Sequence, residues 1–236
     1  MSVIMHAAET RGHANHGWLD TKHTFSFSRY YNPERMSYGT LRVLNDDIVM
    51  GGQGFGEHPH DNMEIISIPL SGSLAHADSM GSKKTIKVGE IQIMSAGTGV
   101  MHSEFNDSAT EPVNFLQIWI YPKVKNIEPR YEQRYFSEQE RSNTLRTIVS
   151  PNPDDDALWI NQDAFLSIGD FSEHAVINYT KRNPENGVYV FVINGSVKVH
   201  DMLLQSRDGM GITGEDLLDI KISKDTTVLT IEIPMN

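Results

Sequence analysis

Short runs of alternating apolar and polar residues recur along the chain, and turns rich in glycine or proline separate them. The clearest run extends from Asn114 to Tyr121, where Phe115, Gln117 and Trp119 share one face. Such alternation is typical of β-strands, because successive side chains point to opposite faces of a strand. Many short strands joined by such turns favour an antiparallel barrel or sandwich, so we predict an all-β protein. Other predicted strands cover residues 24–28, 39–44, 64–70, 74–78, 86–88, 90–94, 164–169, 173–179 and 187–199.

Two features interrupt this pattern. The polar sequence Asn45-Asp46-Asp47 predicts a turn, and Ser137 with Glu140 has the spacing of a capping box, which predicts a short helix. The stretch between residues 121 and 160 is irregular and separates two strand-rich halves. We therefore place an N-terminal domain at residues 1–133 and a C-terminal domain at residues 134–236.

The second half repeats the first in a degraded form. The strand-turn-strand sequence at residues 187–199 matches the one at residues 64–76, and aligning Gly195 with Gly72 places Lys181 and Asn183 where His58 and His60 stand. Residues 208–214 take the place of a glycine-rich turn that a histidine follows in the first half, but here none follows. The remaining histidines of this half, His174 and His200, lack partners at ligand spacing. We predict a second barrel that binds no metal.

Composition and charge exclude several classes of function. Hydrophobic residues make up 39% of the 236 residues and charged residues 22%, which is typical of a globular protein. The absence of cysteine excludes disulfides and thiolate metal sites. The net charge of −11 is spread over both halves without a basic stripe, so direct binding to nucleic acid is not expected. No apolar run has the length of a signal peptide or a membrane span, and we expect a cytoplasmic protein that does not bind membranes.

Two short sequences carry potential metal ligands at the same spacing. His58 and His60 are two residues apart, and so are His102 and Glu104. On a strand each pair points to one face, so each can direct two ligands into one space. Imidazole and carboxylate together suit a divalent transition metal, and four such ligands leave one or two coordination positions open.

These residues lie in motifs that resemble the cupins. Residues 52–64 follow the pattern Gly-x5-His-x-His-x3-Glu, and residues 97–106 follow Gly-x-Gly-x2-His-x3-Asn. The sequence departs from the cupin pattern by one extra residue before Gly72 and by Gly97, where cupins usually carry proline. His-Pro-His at 58–60, Met-Ser-Ala-Gly-Thr-Gly at 94–99 and His-Ser-Glu at 102–104 more closely resemble the pirin family of the cupin superfamily.

The resemblance implies a fold and a ligand set. Pirins consist of two jelly-roll β-barrels packed together in one chain, with one metal site in the N-terminal barrel. The resemblance assigns that metal to His58, His60, His102 and Glu104. Glu64 is the competing carboxylate, because the general cupin motif uses the glutamate after His-x-His; we expect it instead in a hydrogen bond behind the ligands or in the barrel wall.

The resemblance also implies an activity of the quercetin 2,3-dioxygenase type, in which a flavonol and dioxygen react and the central ring is cleaved. Glu104 is then the general base for the 3-hydroxyl proton. One divalent ion per chain is expected, with iron(II) preferred and copper, zinc, nickel, manganese and cobalt as alternatives. A monomer is the expected state.

Two other functions stay open at this stage. One is a non-enzymatic regulator that binds a protein partner in response to metal or redox state, as eukaryotic pirin does. The other is an isomerase or hydrolase that uses zinc or manganese on the same scaffold, since a fold does not determine its chemistry.

Four further histidines are weaker ligand candidates. We interpret His13, His16 and His23 as exposed or loop residues, because none has a partner at strand spacing. His76 falls outside the ligand set that the resemblance implies, and we do not expect it to line the site.

Overall fold

The computed structural model describes residues 2–235. Almost all regular structure is β, as predicted, and one short helix joins the two halves. The strands of the first half are β1 Ser2–His6, β2 Gly12–Asn15, β3 Leu19–His23, β4 Leu41–Val49, β5 Gly54–His60, β6 Glu64–Ser71, β7 Ser73–Asp78, β8 Lys83–Lys87, β9 Glu90–Ser95, β10 Val100–Asn106, β11 Val113–Ile120 and β12 Arg130–Tyr135. The second half contains α1 Glu138–Arg141, β13 Arg146–Ser150, β14 Leu158–Trp159, β15 Phe165–Phe171, β16 Ala175–Thr180, β17 Asn186–Asn194, β18 Ser196–Val199, β19 Met202–Gln205, β20 Gly209–Thr213, β21 Leu217–Ile222 and β22 Thr226–Pro234.

Each half is a barrel made of one large and one small sheet. The first combines a seven-stranded sheet, ordered β12-β9-β6-β11-β4-β3-β2, with a four-stranded sheet, ordered β5-β10-β7-β8. The second combines β1-β20-β17-β22-β15-β13-β14 with β16-β21-β18-β19. Gly72 and Gly195 occupy the hairpin turns between β6 and β7 and between β17 and β18, both at φ values near +80° that favour glycine. The internal repeat predicted from the sequence is therefore present in the fold.

The two barrels share one apolar core. The side chains that fill it come from both large sheets, so it forms the contact between the halves. Ile66, Leu116 and Ile118 contribute from the first sheet, and Tyr189 and Leu229 from the second. This continuous core holds the two barrels together as one body.

The N-terminal strand crosses from one barrel to the other. β1 pairs with β20 along its whole length and so extends the second large sheet. His6 at the end of β1 lies 2.8 Å from the hydroxyl of Tyr189, and Tyr38 donates a hydrogen bond of 2.8 Å to the carbonyl of Ile212. The pairing of β1, and the extension of β12 to Tyr135 in the first sheet, differ from the predicted division at residue 133.

Three local predictions were wrong. Asn45-Asp46-Asp47 lies within β4 rather than in a turn, because β4 pairs with both β3 and β11 over these residues. Residues 24–28 form no strand; a tight turn follows Phe27, with Ser28 at φ 52°. Residues 209–213 form strand β20 rather than a glycine-rich turn, and they pair with β1 and β17.

Other local predictions are confirmed. Ser137 and Glu140 form a reciprocal capping box at the start of α1, and the alternating stretch around Phe115 is the central strand β11. Among residues 2–235, no helix is long and apolar enough to cross a bilayer.

Candidate metal centre

Two neighbouring antiparallel strands bring the predicted histidines together. β5 carries His58 and His60, and β10 carries His102. His102 lies directly across from His58, and Val100 lies across from His60. Because residues two apart share a face and cross-strand partners share a face, all three imidazoles point to the same side of the small sheet.

A β-bulge orients one of these rings. The pairing of β5 with β10 shifts between His102 and Glu104, so that two residues of β5, Gly56 and Glu57, lie opposite Ser103 of β10. At this irregularity the Gly56 carbonyl lies 2.8 Å from Nδ1 of His58. A carbonyl can only accept, so Nδ1 carries the proton and Nε2 of His58 presents a lone pair.

The three rings converge on one point. Nε2 of His58 and Nε2 of His102 are 2.9 Å apart, and the ring centroids of the trio lie 4.4–4.9 Å from one another. Nε2 of His60 is buried and has no hydrogen-bond partner among the described residues. Two nitrogens that each lie ~2.0–2.1 Å from one ion, at right angles around it, are separated by ~2.9 Å. The donor set therefore fits a divalent transition metal.

The surroundings of His60 and His102 favour their neutral forms. Burial, together with the neighbouring imidazoles, lowers the pKa of His102 to about 2. Burial also lowers the pKa of His60 to about 4, and His58 contributes to that shift. The neutral imidazole is the form that binds a metal, so the shifts favour ligand function at neutral pH.

Glu104 lies beside this trio in a fully enclosed position. Its two carboxylate oxygens accept hydrogen bonds from Ser67 Oγ at 3.0 Å and from Gln117 Nε2 at 2.7 Å. Donor atoms of Glu104, His102 and His76 lie within 4.8 Å of one another, as do those of the histidine trio. Burial raises the pKa of Glu104 to about 7, against the opposing effect of its two hydrogen bonds. A carboxyl group with this pKa can take or release a proton near neutral pH.

The competing carboxylate, Glu64, has a different environment. It accepts hydrogen bonds from Ser95 Oγ at 2.8 Å and from the backbone nitrogen of Asn161 at 3.3 Å. Although Glu64 is four residues after His60, the loop at residues 61–63 ends β5 and places Glu64 in the large sheet. Glu64 therefore lies in the barrel wall and not on the strand that carries His58 and His60.

The four weaker candidates, His13, His16, His23 and His76, lie outside the trio. His76 is fully buried behind His102, where its Nε2 lies 3.0 Å from Asp78. His13 and His16 are exposed at the mouth of the barrel, as expected. His23 is buried at the end of β3, contrary to expectation, and its Nδ1 lies 3.0 Å from Asn45 Oδ1.

A cavity of about 950 Å³ extends from the trio to the surface. Its size is within the range of small-molecule sites. Phe27 and Trp119 form an aromatic side, with ring centroids 5.3 Å apart in an edge-to-face arrangement. The sequence interpretation missed the polar lining residues Asn45 and Asp47, although the period-two series of residues 43, 45, 47 and 49 was a signal that β4 continues.

The corresponding part of the second barrel is occupied by its own side chains. Lys181, at the position of His58, donates from Nζ to the carbonyl of Asn186 at 2.9 Å. The backbone nitrogen of Asn183, at the position of His60, donates to Glu232 at 3.0 Å. His174 is exposed, and His200 lies 3.3 Å from Glu215. The metal-free second barrel stays a prediction.

Comparisons with known proteins agree with this architecture. The Pirin family profile matches residues 5–120, and the profile of the quercetinase C-terminal cupin domain matches residues 147–233. The chain is 41% identical to a protein named quercetin 2,3-dioxygenase from Escherichia coli strain K12, over 98% of this chain and 99% of that one.

Solved structures show the same fold. The crystal structure of YhhW from Escherichia coli superimposes with a TM-score of 0.94 at 41% identity, covering 99% of this chain and 98% of that one. A second structure, bacterial pirin YhhW from Escherichia coli in complex with nickel(II), gives a TM-score of 0.93 at 41% identity and covers 99% of both chains. The matched profiles, the identity over nearly the whole chain and the shared two-barrel fold together establish that this chain belongs to the pirin family of the cupin superfamily.

Proposed function

We propose that this protein is a metal-dependent dioxygenase that cleaves the central ring of a flavonol such as quercetin. The observation that carries the proposal is the convergence of three imidazoles at the inner end of a cavity large enough for such a substrate. The activity named for the relative with 41% identity supports the choice of reaction.

His58, His60 and His102 would hold the ion, and Glu104 would be the fourth ligand or a carboxylate held next to it. Iron(II) is our first choice; the nickel(II) in the related pirin shows that the relative accepts another divalent ion. When bound, the ion supplies a positive centre that favours the deprotonated 3-oxygen of a flavonol and couples the substrate electronically to dioxygen.

Glu104 is the base in this proposal. Ser67 and Gln117 occupy one acceptor site on each of its oxygens, and a carboxylate has about four such sites, so acceptor capacity is left for the 3-hydroxyl proton. The raised pKa of Glu104 lies close to neutral pH, which is the value at which a general base is most effective in neutral solution. Phe27 and Trp119 provide aromatic surfaces that hold the flat substrate and exclude water.

The cavity favours this function over the regulatory one. A partner protein needs an exposed surface, whereas Glu104, Gln117 and Asp47 are buried and line the cavity. The test is to load the protein with iron(II) or copper, add quercetin in air, and follow flavonol absorbance together with dioxygen uptake. We expect one dioxygen consumed per flavonol and release of carbon monoxide. If the absorbance does not change with any of the candidate metals, the regulatory function becomes the better proposal.

A further inference from the structure

One side of the cavity carries polar side chains that the proposed reaction does not use. Thr21, His23, Asn45 and Asp47 project from β3 and β4 into the cavity, and we call them the polar wall. Thr21 pairs with Asp47 across the two strands and His23 pairs with Asn45, so all four share the inner face. Each is buried, with at most 5% of its surface exposed.

The hydrogen bonds of the polar wall leave capacity for a ligand. Thr21 donates its hydroxyl proton to Oδ1 of Asp47, and His23 Nδ1 lies 3.0 Å from Asn45 Oδ1. Within residues 2–235, Thr21 is the only group that hydrogen-bonds to the Asp47 side chain, and no basic side chain forms an ion pair with it. A carboxyl group has about four acceptor sites, so this side chain of the cavity lining keeps acceptor capacity for a ligand.

The electrostatics agree with this picture. Burial raises the pKa of Asp47 to about 7, and the nearby carboxyl groups of Asp46 and Glu104 add to the shift. A protein that retains such a group inside a cavity gains no stability from it. Perturbed buried carboxyl groups of this kind are enriched at functional sites.

The polar wall lies at a defined distance from the proposed base. Gln117, which donates to Glu104, pairs with Asn45 on the adjacent strand β4. His23 lies one strand farther away, on β3. Strands are ~4.8 Å apart, so the polar wall lies ~5–10 Å across the sheet from the residue that holds the base. A fused aromatic ring system bound at Glu104 by one hydroxyl spans this distance.

We propose that the polar wall recognises the ring hydroxyl groups of the flavonol that lie remote from its 3-hydroxyl, with Asp47 as the principal partner and Asn45 beside it. The inference rests on the proposed function and specifies its substrate class as polyhydroxylated flavonols. A hydroxyl that donates to Asp47 completes the hydrogen bonding of the buried carboxylate. A substrate without that hydroxyl leaves the carboxylate incompletely satisfied and binds less tightly.

The experiment compares quercetin with 3-hydroxyflavone, which has the 3-hydroxyl but no other ring hydroxyl. We expect wild-type kcat/KM to favour quercetin ~10–100-fold, the range for a hydrogen bond to a charged group, mostly through KM. Asp47→Leu should lower kcat/KM much more for quercetin than for 3-hydroxyflavone and so abolish most of this preference. Asp47→Asn should reduce the preference partly. Asp107→Asn, on the exposed outside of the same barrel, is the matched control and should change neither value.

Two outcomes overturn the inference: a wild type that treats both flavonols alike, or an Asp47→Leu variant that loses activity equally on both. The wild-type comparison does not depend on any variant folding. If the metal-loaded wild type turns over neither flavonol, the proposed reaction fails, and the affinities measured by quenching of tryptophan fluorescence decide the recognition separately. A quercetin preference that Asp47→Leu removes supports the polar wall; equal affinities, or no binding of either compound, contradict it.

Discussion

The mouths of the two barrels differ although their strands follow the same order. In the first barrel, three imidazoles converge at the inner end of a cavity. Among residues 2–235, Nε2 of His60 and Nδ1 of His102 have no hydrogen-bond partner. In the second barrel, Glu232 accepts hydrogen bonds from the Tyr179 hydroxyl at 2.8 Å and from the backbone nitrogens of Arg182 and Asn183 at 2.9 and 3.0 Å. The first arrangement leaves donor atoms for a ligand, and the second satisfies its polar groups internally.

The difference can be traced to single equivalent positions. Trp119 pairs with Ile65, and Glu232 pairs with Val188 at the matching place in the second barrel. At this position the first barrel has an aromatic ring in contact with His60, and the second has a carboxylate that binds its own loop. Within the described part of the chain, differences at a few positions of the mouth therefore leave one barrel with unpartnered ring nitrogens and the other with a carboxylate satisfied by its own loop.

The largest expected effect is on metal content. His58→Ala should reduce bound metal from about one ion per chain to near zero, because it removes one of the three converging nitrogens. Elemental analysis of protein purified in parallel gives the measurement. His174→Ala in the second barrel is the matched control and should keep its metal. A second ion per chain that disappears in the His174 variant would contradict the assignment of a metal-free second barrel.

Loss of the proposed base should separate catalysis from metal binding. Glu104→Gln keeps the size of the side chain and an oxygen for the metal but cannot accept the proton. We expect kcat to fall ~10²–10⁴-fold, the usual contribution of a general base, with metal content unchanged. Full flavonol turnover by this variant would remove Glu104 from the role of base.

The carboxylate of the second barrel should matter for stability alone. Glu232→Ala removes a fully buried charge that lies 3.8 Å from the Arg182 guanidinium and leaves several N–H donors without a partner. Such changes cost ~3–5 kcal/mol of unfolding free energy. Urea unfolding measures this loss, and the exposed Glu185→Ala variant is the control. Loss of metal from the folded Glu232 variant would show that the two mouths are not independent.

The smallest expected effect is a pH-dependent change in the free energy of unfolding, caused by His6 at the contact between the barrels. Burial lowers the pKa of His6 to about 4 from an ordinary value of 6.5, so the unfolded chain binds the proton more readily. His6 therefore contributes stability above pH 6.5 that is lost as the pH falls to 4, by up to roughly 3 kcal/mol.

His6→Gln isolates this contribution, because glutamine does not titrate. As the pH falls from 6.5 to 4, the unfolding free energy of the wild type should decrease more than that of the variant. Denaturant titrations at several pH values measure it. A difference that stays constant over this range would show that His6 does not titrate as described.

Sequence alone was enough to predict that His58, His60 and His102 converge and that the fold contains a repeat. The spacing of His58 and His60 implies a shared strand face, and the glycine at each hairpin turn marks the repeat. The positions of the carboxylates were harder to predict. Glu64 is only four residues after His60, but a loop at residues 61–63 separates their strands, so the two residues lie in different sheets. The role of a carboxylate depends on which sheet carries it, and that is a tertiary property.

Asn45 and Asp47 illustrate the same limit. Three polar residues in succession are typical of a turn, and only their partners reveal a strand. Asp46 lies 2.9 Å from Arg207 of the second barrel, while Asp47 is bound to Thr21 inside the first. Neither partner is close in sequence, so the turn-like composition of residues 45–47 outweighed the period-two signal, and the predicted strand stopped at residue 44.

The pairing of β1 with β20 has a consequence for synthesis of the chain. The ribosome makes residues 2–6 long before residues 209–213, and at ~5–20 residues per second the first strand waits ~10–40 s for its partner. During that interval the first barrel can form, but the N-terminal strand has an unpaired edge. The second barrel therefore completes its sheet with a strand made long before it, and a nascent protein stalled before β20 exposes that strand to other chains.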